Sequence, residues 1–421
     1  MKYKLIALIF GCFTFCGAAS PLTQTEQQAW LEDIDFYAHQ VKTQHIQPFH
    51  TLAEADFDRK VERLKAQLQG LTEAQVETRL MAISRAIGDG HSNYFMMSGP
   101  HQHFPFRFKF FGDTLRVIDT TSAYRNLLGA QLSSINGVSV AELYTQLAAT
   151  LPGVDNQYSE KASFEYYLSL HKLLLGLEIV KEEQPALFKF VTGKEESSVP
   201  VSPISMSEFG KLSSAYSRTE PELTTHDTGM PGITLSLFRQ HKAAYFDFRS
   251  YPEPEQVIAH CEDLQATLRA AGSRVMIIDF RGNGGGNFYS GLALSACLQP
   301  LDQIDWMQGV YVLSDGETFS AAMTNTVQFR QILNATVVGT PTGGDPNQFS
   351  ENSVFSLPNS GRRFSLSKRY YPFSDVQSDA VYPDIHIAPS WEDYRAGKDT
   401  VLIHLLSQLS AHTQWPASVN K

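Results

Sequence analysis

Cysteine is scarce. Four in 421 residues are too few for a disulfide framework to replace a hydrophobic core. Cys12 and Cys16 fall in the leading segment, which leaves Cys261 and Cys297. Those two either pair in an oxidising compartment or rest as buried thiols in apolar helical stretches, and the sequence keeps both open. There is no basic cluster: 34 Lys and Arg stand against 44 Asp and Glu, for a formal net charge of −10. That balance argues against nucleic acid as the partner. No later apolar run is long enough to span a membrane. The Gly-Lys-Ser/Thr ending of a phosphate loop, the dinucleotide glycine pattern and the Gly-x-Ser-x-Gly elbow are all missing. His101 and His103 form a His-x-His without a third ligand at a telling spacing, so neither a metal nor an organic cofactor is called for.

What is present begins with MKYKLIALIFGCFTFCGAAS. Lys2 and Lys4, an apolar run and then small residues have the layout of a secretory signal peptide, residues 1–19, cut near Ala19. Its loss removes two lysines and takes the net charge from −10 to −12. The expected location is periplasmic or secreted. A hydrophobic content of 43% then suffices for a real core.

Three regions follow. Residues 20–103 read as helical: Thr23 with Glu26 and Thr72 with Gln75 are capping boxes, and Trp30, Ile34, Tyr37 and Val41 share one face. Gly88 is placed to end the second of these helices, so His91 projects from a fixed turn in GDGHS. Residues 104–205 are β-rich, with turn signals at Gly112-Asp113 and Asn136-Gly137. Residues 206–415 alternate strand and helix, which predicts a largely parallel sheet with active groups on the loops at strand ends. There a single helix is expected over PEQVIAHCEDLQATLRAAG, and SRVMIIDF reads as a strand buried on both faces.

Two loops of that last region carry chemistry. In DFRGNGGGN, Asp279 to Asn287, three consecutive glycines after a buried strand let the backbone approach a ligand and present N–H groups. In SDGETFSAAM, Ser320 opens a helix, where the Ala321 amide points at incoming negative charge. Serine is also a common helix cap. A nucleophile needs a base, and the chain must supply one elsewhere.

The order GDGHS, IIDFRGNGGG, TFSAA, VVGTPTGG and VYPDI resembles the tail-specific serine peptidases. That family includes the C-terminal processing proteases, the tricorn core and retinoid-binding modules of the same fold. The resemblance implies a crotonase-like α/β core, a PDZ-like module around LLGAQLSSINGVSV, a helical N-terminal region and a peptide or protein substrate. It implies Ser320 as nucleophile, with Gly285 and Ala321 lining an oxyanion hole. The processing proteases place a lysine base 25 residues after the serine; here Asp345 stands there, and a carboxylate cannot replace a desolvated amine. The tricorn-like branch brings a histidine from before the core, which makes His91 the expected base. For the third member, Glu351 is favoured over Asp375, Asp379 and Gln377. Because the family includes carriers, a non-catalytic module that binds peptide or an apolar ligand is the alternative, as is an esterase. Oligomeric state is left open.

Overall fold

A computed structural model describes residues 20–411 apart from 97, 98, 100, 183, 213–215 and 217–223. The proposed signal peptide, 1–19, lies outside the described residues. Both capping boxes form, on the helices Gln24–Gln44 and Glu73–Arg85. Each satisfies otherwise orphaned first-turn donors and fixes where the helix begins. Trp30, Ile34, Tyr37 and Val41 are all buried on the first, and Gly88 follows the second at φ +83°.

The 104–205 region contains five strands that order as Phe106–Phe111, Thr114–Thr120, Gln131–Ile135, Ala186–Thr192 and Glu195–Val201, a sheet of six when Val138–Ser139 is included. Both predicted turns close hairpins, at Gly112 (φ +59°) and at Asn136-Gly137 (φ +49° and +84°). The side chains of this sheet and of the N-terminal helices form one continuous apolar cluster, which also takes in Leu357, Phe364 and Leu366 from much later in the chain.

The remaining sheet has seven strands. Thr224–Asp227, Ile233–Phe238 and Ala243–Phe248 run antiparallel. From Ala243–Phe248 onward, Val275–Asp279, Val310–Ser314, Thr336–Gly339 and Ile385–His386 add in parallel. Alternation along the strands supplies two cores: Phe246, Met276 and Ile278 face one layer of helices, while Tyr245, Val275 and Ile277 face the helix Thr400–Ala411. Burial on both faces explains the unbroken apolar run Val275–Ile278, and every residue of the strand Val275–Asp279 is buried.

Two expectations are amended. The single helix expected over 254–272 is two, Pro254–Ala259 and Cys261–Ala271, broken at His260. Cys261 opens the second of them and is disulfide-bonded to Cys297 across 36 residues, which resolves the cysteine question in favour of pairing. A loop of that length is worth about 4 kcal/mol in the chain-entropy picture. The second amendment is an antiparallel hairpin, Asn347–Ser356 with Arg363–Pro372, inserted into the α/β region. Its third strand is Asn93–Tyr94, directly after His91.

Candidate active site

Ser320 lies between the strand Val310–Ser314 and the helix Ala321–Ile332. Its backbone sits at φ +50°, ψ −120°, a region that side-chain-bearing residues avoid and that persists where the surroundings over-determine it. The hydroxyl makes no capping bond to its own helix. Instead Ser320 Oγ lies 2.9 Å from His91 Nε2, across 229 positions of sequence. The Phe319 ring stacks on the imidazole at 5.2 Å between centroids.

The glycine loop closes the other side. Gly285, at φ +108°, passes so near that a methyl group there would stand 2.5 Å from Ser320 Cβ and 2.9 Å from the Ala321 nitrogen. The Gly285 amide donates to Asn283 Oδ1 at 2.9 Å, and Asn283 Nδ2 is itself held by the Phe248 carbonyl at 2.6 Å. Below the loop, Arg281 bonds Asp279 and the two oxygens of Asp399, tying it to the start of the last helix. Burial would raise the Asp279 carboxyl, but the Arg281 guanidinium outweighs it and holds the group at about 2.

His91 is mounted by the hairpin rather than by its own helix. Ser365 Oγ donates to the His91 carbonyl at 2.7 Å, and Asn93 pairs with Ser365 in the three-stranded sheet. Asp89 gathers the turn: its Oδ1 accepts the amides of His91 (2.7 Å) and Ser92 (2.6 Å) and the Ser367 hydroxyl (2.9 Å). Its Oδ2 meets His45 Nε2 at 2.6 Å, both side chains being buried. Burial alone would raise the Asp89 carboxyl; the bonds from His45, Ser92 and Ser367 bring it down to about 2. Asp155 accepts the Gly90 amide at 2.5 Å and the Asp345 amide at 3.2 Å. Full burial pushes Asp155 up to about 7. Burial also lowers the proton affinity of His91, partly offset by Asp89, by the Phe349 carbonyl and by Glu351.

The candidates for the third member fare differently. Glu351 is exposed, at φ +54° within its strand, and accepts from Tyr371 OH at 3.4 Å. Its charge is felt at His91, but no hydrogen bond joins them among the described residues. Asp379 accepts from Tyr382 OH at 3.0 Å, and Asp375 and Gln377 are exposed. Asp345, at the place of the missing lysine, accepts the Asn347 amide at 2.7 Å. Ser290, the serine that follows the glycine loop, is buried and donates to the Pro252 carbonyl. Among the described residues no group of three or more His, Cys, Asp or Glu is placed to hold a metal.

Sequence reasoning missed the hairpin, Asp89 and His45. The alternation in QFSENSVFS and RFSLSKRYY was a period-2 signal for two strands. Nothing in the sequence announced the His45–Asp89 pair.

Residues 242–387 match the sequence model of Peptidase family S41, the segment that holds the parallel strands, the glycine loop, Ser320 and the hairpin. Over that segment the chain is similar to this family of serine-type peptidases. Among solved structures it is similar to a mutant of CPAF (TM-score 0.63, 11% identity, 93% of this chain and 99% of that one). Mature CPAF aligns at TM-score 0.61 and 12% identity over the same shares of the two chains. Mature CPAF complexed with lactacystin aligns at 0.58 and 13%, over 91% and 98%. At such identities the likeness is one of fold. No curated protein sequence matches the chain. No helix among the described residues is long and apolar enough to cross a membrane.

Proposed function

We propose that the chain is an exported peptidase in which Ser320 attacks the peptide carbonyl and His91 is the general base. The observation that carries this reading is the 2.9 Å contact between Ser320 Oγ and His91 Nε2, made by a serine in a strained backbone conformation and free of any capping duty. His91 takes the hydroxyl proton as the carbon–oxygen bond forms, then delivers it to the leaving amine as the tetrahedral intermediate collapses. A neutral imidazole is the working state, and burial, which depresses proton affinity, favours it.

The oxyanion would be met by the Ala321 amide, at the start of its helix where amides lack intrahelical acceptors, and by Gly285. Because the Gly285 amide is engaged by Asn283 Oδ1, it must share that bond with the developing charge. Such a donor typically contributes about 10²–10³ in rate. No metal or organic cofactor enters these steps.

The remaining assignments rest on the same footing. The seven-stranded unit is read as the crotonase-like core and the 104–205 sheet as the PDZ-like module, with a peptide or protein as substrate. Glu351 is retained as the third member only in a long-range role, since Tyr371 holds its carboxylate. Fluorophosphonate labelling of the purified protein tests the reading. Labelling of the wild type that vanishes in Ser320→Ala and in His91→Ala supports it; a folded wild-type protein that does not label overturns it.

A further inference from the structure

The histidine of a serine hydrolase becomes an imidazolium in the transition state and needs a nearby negative charge. The residue expected to provide it, Glu351, lies exposed and turned to Tyr371. The buried His91 Nδ1 makes no hydrogen bond to a side chain among the described residues, and the Phe349 backbone adds to its proton affinity only after Asp89. A buried carboxylate does stand two residues away. Building on the Ser320–His91 reading, we propose that Asp89, completed by His45, is both the mount and the principal counter-charge of His91. It would fix the loop through backbone bonds and stabilise the imidazolium through space.

Four contacts converge on this carboxylate, and three of them belong to the surroundings of His91. The amides of His91 and Ser92 and the Ser367 hydroxyl all donate to Oδ1. Ser367 belongs to the hairpin strand that also holds the His91 carbonyl through Ser365. The fourth partner settles the charge. His45 Nδ1 accepts the Gln47 amide at 2.9 Å, so its ring proton sits on Nε2 and is given to Asp89 Oδ2 at 2.6 Å. The carboxylate is thus the acceptor in all four contacts, and these partners hold it well below the usual carboxylate range.

The other charged groups in the neighbourhood are less suited. Asp155 lies under Gly90 and Asp345 beside it, but burial raises the carboxyls of both. Glu351 is in solvent, where screening is strongest. His50 stacks on His45 and tilts against Phe349, and its ring nitrogens face the Gln47 carbonyl at 2.8 Å and the Gly88 carbonyl at 3.3 Å, each able only to accept an N–H. Phe319 covers the His91 ring, and in such a poorly hydrated setting a fixed charge acts more strongly than in water. Of the charges that favour the imidazolium, Asp89 stands first and Glu351 last.

Asp89→Asn tests the idea, because asparagine can still accept the loop amides while carrying no charge. The readout is the second-order rate of fluorophosphonate labelling against pH. Removing an anion disfavours the imidazolium, so the acid limb of the profile should move down by about one pH unit, with a lower plateau. Glu351→Gln should leave the limb within about 0.3 unit. The ring Cε1–H titration of His91 in Ser320→Ala, assigned by its loss in the Ser320→Ala/His91→Ala double variant, separates His91 from Asp155. A limb that stays put in folded Asp89→Asn, or one that moves by a unit in Glu351→Gln, overturns the proposal. If Asp89→Asn does not fold, the Glu351→Gln arm decides alone. Absence of labelling in the wild type would instead sink the Ser320–His91 reading, and the His91 titration would still be compared between the two carboxylate variants.

Discussion

The two halves of the candidate site are held in opposite ways. Ser320 and the glycine loop stand at the ends of parallel strands buried on both faces, and their geometry comes from local turns on a rigid sheet. His91 stands on a short turn with little structure of its own, and groups from three distant segments hold it: His45, Asp155, and Ser365 with Ser367 on one hairpin strand. The first arrangement gives precision through the backbone. The second gives it through side-chain hydrogen bonds and the hairpin, which is clamped at its tip by buried Asp33 accepting the Asn359 and Ser360 amides. A precise site therefore does not require both partners to sit on regular elements.

Perturbing each half in turn can break this comparison. The largest effect should come from Ser320→Ala, with a loss of about 10⁶-fold in turnover. Adding His91→Ala to it should cost almost nothing further, because the pair acts as a unit; additive losses would separate them. Next, Gly285→Ala should lower kcat by about 10²–10³-fold with little change in KM. A methyl there meets Ser320 Cβ and the φ of +108° is unsuited to alanine, so an unaffected kcat would remove the glycine loop from the mechanism.

On the histidine side, Phe364→Ala removes a fully buried ring that packs edge-on against Tyr37 at 5.0 Å. It should cost about 3–5 kcal/mol. In thermal scans, labelling should disappear before the helical signal does, because the hairpin mount loosens first. Coincident loss would show that the two halves melt together. Smallest in its effect on activity, breaking the Cys261–Cys297 bridge by Cys261→Ala/Cys297→Ala should reduce stability by about 2–4 kcal/mol while leaving the labelling rate near wild type.

Asp155 supplies a pH test with a definite sign. Its folded carboxyl is raised to about 7 from 3.8, so the folded state holds a proton that the unfolded chain has released. Stability contributed by that protonation is present at acid pH and declines as pH rises through about 7. Asp155→Asn should flatten the stability profile between about pH 4 and 7. Asp89 runs the other way: with its carboxyl held at about 2, its contribution persists above 3.8 and is lost only as pH falls towards 2.

Much of the serine half could be read from the sequence because its signals are local. The strand Val275–Asp279, the glycines after it and the helix after Ser320 are each specified by neighbours in the chain. Capping boxes fixed the helix starts at Thr23 and Thr72 for the same reason. The histidine half was legible only at His91. Its support depends on residues such as His45 and Ser367, whose partners lie 44 and 278 positions away, and no periodicity records such pairings. The break at His260 was hidden because apolar spacing continues across it into Cys261, Leu264 and Leu268.

The 229-residue separation of Ser320 and His91 has a consequence in time. His91 is synthesised early, its hairpin mount only after residue 347, and closing so long a loop carries an entropic cost that only the finished sheet and hairpin can repay. On the proposed reading, a nascent or unfolded chain carries a serine without its base. Activity would then be a property of the completed topology, and catalysis would double as a report that both halves of the site have folded.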